Sequence, residues 1–268
     1  MRLTALPRVA VLVPGHGNAE RAPIVLRNLQ RIGTMRIEWR CALFVYGDAA
    51  KDVRGVNEHA FSPCTVIRQE GFWMHHARAI PRTLLAWSDL VLMMIDGVEI
   101  NADVNLNLLA GIMERNCLAL AGPSCPSCVT KRLIRTDRMY ARAAHGQTLV
   151  GRRVEYIDPQ ILMYTADAFR CLLRLIDLVG LQADPTGWSL AALQAPFCRA
   201  RVGIVDVMSV EKRFGGSRFG SGIGANHTGK NTYSWKAALT TSRPVVANIS
   251  QRFHLPMTNY TRVIDSLT

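Results

Sequence analysis

The sequence predicts an α/β fold in which a mixed, mostly parallel sheet carries helices on both faces. Three apolar runs, 8–14 (RVAVLVP), 41–46 (CALFVY) and 89–95 (DLVLMMI), have the Val-rich and Leu-rich composition of strands that are covered on both sides. Segments 20–32 and 74–87 between them repeat apolar residues at helical spacing. The resulting alternation of strands and helices is typical of a parallel sheet with crossover helices.

The first part of the chain supplies the most regular pattern. Residues 20–32 place Val25, Leu29 and Ile32 on one helical stripe. A further strand is expected near 64–68. Pro81 must kink or divide the helix predicted over 74–87, because proline lacks a backbone N–H group.

The second part alternates less clearly. Helices are predicted over 103–115 and 166–179, where the apolar residues recur every three or four positions. Strands are expected in three further stretches. These stretches are 118–121, 154–164 and 202–207. Two prolines make 122–127 a predicted loop, and Gly, Ser and Arg dominate 213–234, which we expect to be flexible.

Length and composition indicate one globular unit. The chain has 268 residues, of which 49% are hydrophobic and 19% charged, and this balance excludes a coiled coil, a collagen-like rod and a disordered chain. The apolar stretches Val9–Pro14 and Leu90–Ile95 are too short for a signal peptide core and a membrane span, respectively. Seven scattered cysteines, including the pair Cys125 and Cys128, predict reduced thiols and a cytoplasmic location.

The net charge of +12 admits several kinds of partner. Arginines are spread along the chain and few aromatic residues lie among them, which argues against nucleic-acid binding. Phosphorylated small molecules, and peripheral contact with an anionic surface, are equally compatible with a basic protein.

Polar residues follow three of the apolar strands, at His16, Asp48 and Asp96. The carboxyl ends of parallel strands meet at one edge of a sheet, where ligands of such folds bind. Asp96 and Glu99, three residues apart, could share Mg²⁺ or Mn²⁺, and such a cation neutralises a diphosphate leaving group. The alternative is an aspartate that only begins a turn, with Gly97 providing its backbone conformation.

These segments, taken in order, resemble GT-A-type glycosyltransferases. The first strand reads VAVLVPGHG, the second ends in YGD, and the third ends in an acidic motif. Farther along, VEYIDPQILMYTADAFRCLLRLI, TGWSLAAL and GIVDV are similar to segments of a GT-A family of unknown function and of small glycosyltransferases of large viruses. The resemblance covers about residues 8–215.

The resemblance implies transfer of a sugar from a nucleotide diphosphate sugar to a saccharide or other hydroxyl acceptor, assisted by Mn²⁺ or Mg²⁺. The residues that it places around the nucleotide are Pro14, Gly15, His16, Asp48, Arg78 and Asp96. The metal ligands that it implies are Asp96, Glu99 and Glu211. The acceptor-side residues are Gly187, Trp188 and Lys212, and the catalytic carboxylates are Glu155, Asp158 and Asp206.

The same comparison divides one catalytic domain, 1–268, into a nucleotide-sugar-binding half (1–102), an acceptor half (103–212) and a basic loop with a C-terminal tail (213–268). Two departures from the family pattern support other functions. Gly97 and Val98 interrupt the acidic motif, and Ala191 stands where the family has an aspartate. A catalytically degenerate nucleotide- or glycan-binding module is therefore the alternative, followed by a basic nucleic-acid-associated protein.

Overall fold

The computed structural model describes most of the chain. The described residues are 6–16, 21–45, 61–69, 73–128, 149–157, 160–180, 188–213, 244–245, 247–256 and 263–267. Their strands are β1 (Arg8–His16), β2 (Glu38–Val45), β3 (Cys64–Arg68), β4 (Leu90–Met94), β5 (Val98–Ile100), β6 (Leu120–Ser124), β7 (Gly151–Val154), β8 (Ile161–Thr165), β9 (Val202–Lys212) and β10 (Val263–Leu267). Their α-helices are α1 (Ala22–Gly33), α2 (Trp73–Arg78), α3 (Arg82–Trp87), α4 (Leu106–Arg115), α5 (Ala166–Val179) and α6 (Trp188–Phe197).

One mixed sheet organises the molecule and confirms the predicted fold class. Its strand order is β10-β7-β9-β6-β8-β4-β1-β2-β3, with β5 paired to the far end of β9. β4, β1, β2 and β3 are parallel neighbours. β8 runs antiparallel to both β4 and β6, so it joins the two parts of the sheet.

Apolar side chains leave both faces of the sheet and form two core layers. Val9, Val11 and Val13 of β1 pack with the layer that contains α1 and α4. Ala10 and Leu12 face the opposite layer, which contains α2, α3 and α5. Alternation along a strand explains this division, since successive side chains point to opposite faces. Helices therefore cover both faces, as the sequence predicts.

Several boundaries agree with the sequence prediction and others do not. Pro81 separates α2 from α3, and α5 covers the predicted 166–179. The segment predicted as a loop at 122–127 instead continues β6 to Ser124. The stretch predicted as strand at 154–164 contains only the last residue of β7 and the first four residues of β8. β5 was not predicted, because three residues are too few to show a period.

The cysteines correct the expectation of reduced thiols. Cys41 and Cys64 lie opposite each other on β2 and β3 and form a disulfide. A second disulfide joins Cys171 of α5 to Cys198, just after α6. Cys125 is also disulfide-bonded, whereas Cys117 is free and exposed. Composition could not reveal these bonds, because each joins residues brought together by the fold.

Candidate functional site

The carboxyl edge of β1 and β4 holds the candidate site. The chain leaves β4 at Met94, turns through Asp96 and Gly97, and enters β5, which contains Glu99. Both carboxylates are buried, with Asp96 4% and Glu99 6% exposed. β5 pairs antiparallel with the end of β9, so that Glu99 lies directly opposite Glu211. The backbone N–H of Arg213 donates to the carbonyl of Gly97 and closes this corner.

A buried asparagine fixes the corner against α1. The Asn28 side chain donates to the carbonyl of Val98 at 2.7 Å and accepts from the N–H of Ile100 at 2.9 Å. Asn28 has no exposed surface, so these bonds replace contacts that the β5 backbone would otherwise make with water. Sequence analysis did not identify Asn28, since a polar residue on a helix reads as part of its exposed face.

Arginines from two different elements contact the carboxylates of this corner. Arg21, at the start of α1, donates from Nη1 to Asp96 Oδ1 at 2.8 Å. Arg27 of α1 donates from Nε to Glu99 Oε1 at 3.0 Å. Arg213 donates from Nε to Glu99 Oε2 at 2.6 Å and from Nη1 to Glu211 Oε1 at 2.9 Å.

These contacts keep Glu99 ionised. The hydrogen bond from Arg213 lowers the pKa of Glu99 most; burial opposes this effect, and the Arg27 hydrogen bond lowers the pKa further. A charged carboxylate that accepts from two guanidinium groups forms strong, oriented hydrogen bonds. Glu99 therefore acts as the anchor that positions Arg27 and Arg213.

The three predicted metal ligands do not fit a divalent cation in this arrangement. Asp96, Glu99 and Glu211 each accept a hydrogen bond from arginine. A dication at Glu99 would have to displace, or lie beside, the guanidinium groups of Arg27 and Arg213, which repel it at short range. Within the described residues, no three His, Cys, Asp or Glu side chains form a metal-binding group.

Of the other predicted residues, those that end β1 and β9 belong to this edge of the sheet, whereas Arg78 does not. Pro14 is buried in β1, and the backbone of Gly15 and His16 ends the same strand. Lys212 ends β9 next to Arg213, and its N–H donates to Ser127 Oγ at 2.6 Å. Arg78 is on the opposite helical layer, in a surface ion pair with Asp177 at 3.0 Å.

Two of the predicted catalytic carboxylates, Glu155 and Asp206, are not brought together. The register across the sheet shows where Glu155 lies. Val154 of β7 is aligned, through β9, β6 and β8, with Val91 near the start of β4. Glu155, which follows Val154, therefore lies at the edge opposite Asp96. Asp206 is 6% exposed and forms an ion pair with buried Arg152 at 3.4 Å.

Some predicted positions fall outside what the structure describes. These are Asp48, Asp158, Gly187, the side chains of His16 and Trp188, and most of the basic loop from residue 214 onward. Their assignments remain predictions. Arg21 and Arg27 were missed because nothing local separates them from ordinary exposed helix arginines.

Comparison with solved structures shows the same GT-A-like fold. GalNAc-T7, in a structure with UDP, GalNAc and Mn²⁺, matches with a TM-score of 0.57 at 11% identity, over 91% of this chain and 48% of that one. S. aureus TarS 1-349 matches with a TM-score of 0.47 at 10% identity, over 77% of this chain and 60% of that one. A third match is 4-diphosphocytidyl-2C-methyl-D-erythritolsynthase from Anaerococcus prevotii, with a TM-score of 0.44 at 11% identity, over 90% and 96% of the two chains.

This chain thus spans between about half and three fifths of the TarS 1-349 and GalNAc-T7 chains that it matches. No protein-family model and no curated protein sequence matches it. In the described part of the chain, no helix is both long and apolar enough to cross a membrane.

Proposed function

We propose that this chain transfers a sugar from a nucleotide diphosphate sugar to a hydroxyl acceptor. The observation that carries the proposal is the convergence of β1, β4, the start of α1 and the end of β9 on the Asp96–Glu99 corner, at the ligand-binding edge of an α/β sheet. The structure of GalNAc-T7, which shares the fold, contains UDP, GalNAc and Mn²⁺. The proposal brings that donor chemistry to this chain.

In this proposal, the donor diphosphate lies against the corner and the sugar faces the acceptor side of the sheet. Departure of a nucleoside diphosphate develops negative charge, and fixed positive groups lower the barrier by stabilising it. Of the acceptor bases that the resemblance implies, we retain Asp158, because Glu155 lies at the far edge and Asp206 is ion-paired. The backbone carbonyl of Gln160, two residues after Asp158 in sequence, accepts from the backbone N–H of Ile95 beside the corner.

The first test is a search for the donor, followed by substitution of Asp96. A panel of nucleotide diphosphate sugars is screened for thermal stabilisation, since a bound ligand stabilises the folded form by mass action. With the donor found, we expect Asp96→Asn to lower turnover by about 100-fold, because Arg21 loses the carboxylate that holds this positive group at the corner. The matched control is Asp167→Asn, which alters an exposed ion-paired aspartate on α5.

Thermal unfolding of both variants separates a loss of site chemistry from a loss of folding. Wild-type turnover by a folded Asp96→Asn protein would exclude this corner as the donor site. An inactive wild-type protein that still binds the donor would instead favour the degenerate binding module. Ala191 and the arginine-paired carboxylates are the observations that support that second candidate.

The cytoplasmic location also remains a prediction. The disulfides Cys41–Cys64 and Cys171–Cys198 are more typical of an oxidising compartment, where such bonds form and persist.

A further inference from the structure

Arginines accompany each carboxylate of the Asp96–Glu99 corner. Asp96 is paired with Arg21, and Glu99 and Glu211 are paired with Arg27 and Arg213. A divalent cation in such a site would be bound by carboxylate oxygens together with phosphates of the ligand. Here the three carboxylates are instead engaged by guanidinium groups, which can themselves meet an anion.

The geometry distinguishes an anchored cation pair from an ordinary surface ion pair. The Glu99 side chain is 8% exposed, whereas those of Arg27 and Arg213 are 48% and 47% exposed. The buried Glu99 carboxylate therefore holds both guanidinium groups, while about half of each arginine side chain stays accessible to solvent. Arg27 lies in α1 and Arg213 directly follows β9, so their ion pairs with Glu99 join separate elements and do not stabilise a single helix or strand.

The arginines retain hydrogen-bond donors. Within the described residues, Arg27 donates only through Nε, and Arg213 only through Nε and Nη1. A guanidinium has five N–H donors in a planar fork that matches the oxygens of a phosphate group. Both terminal amino groups of Arg27, and Nη2 of Arg213, remain available to an anion.

We propose that Arg27 and Arg213, oriented by Glu99, bind the donor diphosphate directly and replace the divalent cation at this site. The inference rests on the proposed function, and it concerns how that function is achieved. The two guanidinium groups neutralise the diphosphate and donate to its oxygens. Burial of Glu99 fixes their positions before the ligand arrives, so less conformational entropy is lost on binding.

The test measures binding of inorganic pyrophosphate, UDP, GDP, CDP and ADP by calorimetry, in EDTA and in excess Mn²⁺. Pyrophosphate isolates the contribution of the phosphates, and the nucleotides cover the unassigned base. We expect at least one probe to bind in EDTA, and excess Mn²⁺, which complexes the diphosphate in solution, should not strengthen that binding.

Substitution then assigns the effect to the two arginines. We expect Arg27→Ala and Arg213→Ala each to weaken binding in EDTA about tenfold, the loss of one or two charge-assisted hydrogen bonds. Arg213→Lys keeps the charge but not the planar fork, so its affinity should fall between those of the wild type and Arg213→Ala. Arg170→Ala, an ion-paired surface arginine that is 48% exposed, is the matched control and should bind like the wild type.

The possible failures are distinguishable. Binding that disappears in EDTA and survives both alanine substitutions in Mn²⁺ would overturn the arginine site and leave the proposed function standing. Absence of binding by every probe in both conditions, from a protein that unfolds cooperatively, would overturn both proposals. Circular dichroism of each variant checks that the fold persists.

Discussion

Arg152 and Asp206 form a buried ion pair between neighbouring strands. Their side chains are 4% and 8% exposed, and the charged atoms lie 3.4 Å apart. A buried charge is tolerated when a partner of opposite charge compensates for its lost hydration. The pair thus gives Asp206 a structural role in joining β7 to β9, and this role is independent of the catalytic one expected from sequence.

Removal of Asp206 tests the structural role. We expect Asp206→Ala to lower the free energy of unfolding by about 3–5 kcal/mol, because the buried guanidinium of Arg152 would lose the Asp206 carboxylate. Urea denaturation followed by circular dichroism measures the change. Asp167→Ala, which removes an ion-paired aspartate that is 93% exposed, should change stability by less than about 1 kcal/mol. Equal effects of the two substitutions would contradict the assignment.

Asn28 acts at the same scale but on the candidate site. Its amide satisfies two backbone groups of β5, so it specifies where that strand lies on α1. An apolar residue there would bury as well, yet it would leave the β5 carbonyl and N–H without these bonds. The placement of Glu99 therefore depends on Asn28, whose amide hydrogen-bonds to the backbone of the two residues that flank Glu99.

At the scale of single elements, α6 is the helix whose position depends most on a covalent bond. Its sequence, WSLAALQAPF, is largely apolar and contains Pro196. The disulfide Cys171–Cys198 connects the residue that follows α6 to the middle of α5. This bond limits the motion of α6 against α5 and restricts the conformations of the unfolded chain.

Loss of this bond should destabilise the protein. We expect the double substitution Cys171→Ser and Cys198→Ser to lower the free energy of unfolding by about 3 kcal/mol, the loop-closure value for a loop of this length. Guanidinium denaturation under non-reducing conditions measures it. Cys117→Ser, at a free and exposed cysteine, is the control and should change stability by about 0.5 kcal/mol or less. Equal stability of the double variant and the wild type would show that the bond does not form.

At the scale of the whole molecule, the sheet interleaves the two predicted halves of the chain. β4 from the first half pairs with β8 from the second, and β5 pairs with β9. Neither half can therefore separate without breaking strand pairs and exposing both core layers. We infer that residues 1–102 and 103–212 are parts of one folding unit.

This organisation predicts a single unfolding transition. Urea curves from circular dichroism and from tryptophan fluorescence should coincide, because one cooperative unit loses secondary and tertiary structure together. Three of the five tryptophans lie in 1–102 and one, Trp188, lies in 103–212, so fluorescence reports on each half. Two transitions at different urea concentrations would show that the halves unfold independently.

The overall charge also gains meaning at this scale. Ion pairs in the described structure place arginines from α1, α2, α5, β1 and β7 next to carboxylates. Each such pair is neutral, so the net charge of +12 belongs to cations outside these pairs. Nucleic-acid binding is therefore disfavoured by the sequence alone, in which the arginines are spread along the chain and few aromatic residues lie among them.

The sequence alone predicted the fold class and most strands and helices, which the structure confirms, and it marked the corner that we propose as the donor site. Buried strands and amphipathic helices leave local periodic patterns, and the end of an apolar strand marks its polar corner. Glycosyl transfer followed from the order of the motifs, and it remains to be tested.

Only the tertiary structure decided the strand order, the disulfides and the charge balance of the site. Arg21 and Asp96 are 75 residues apart in sequence, Arg27 and Glu99 are 72 apart, and Arg213 and Glu99 are 114 apart. No local pattern encodes such contacts, since they depend on how β5, α1 and β9 pack together. A carboxylate motif that suggests a metal from its spacing becomes the anchor of two arginines once the chain is folded.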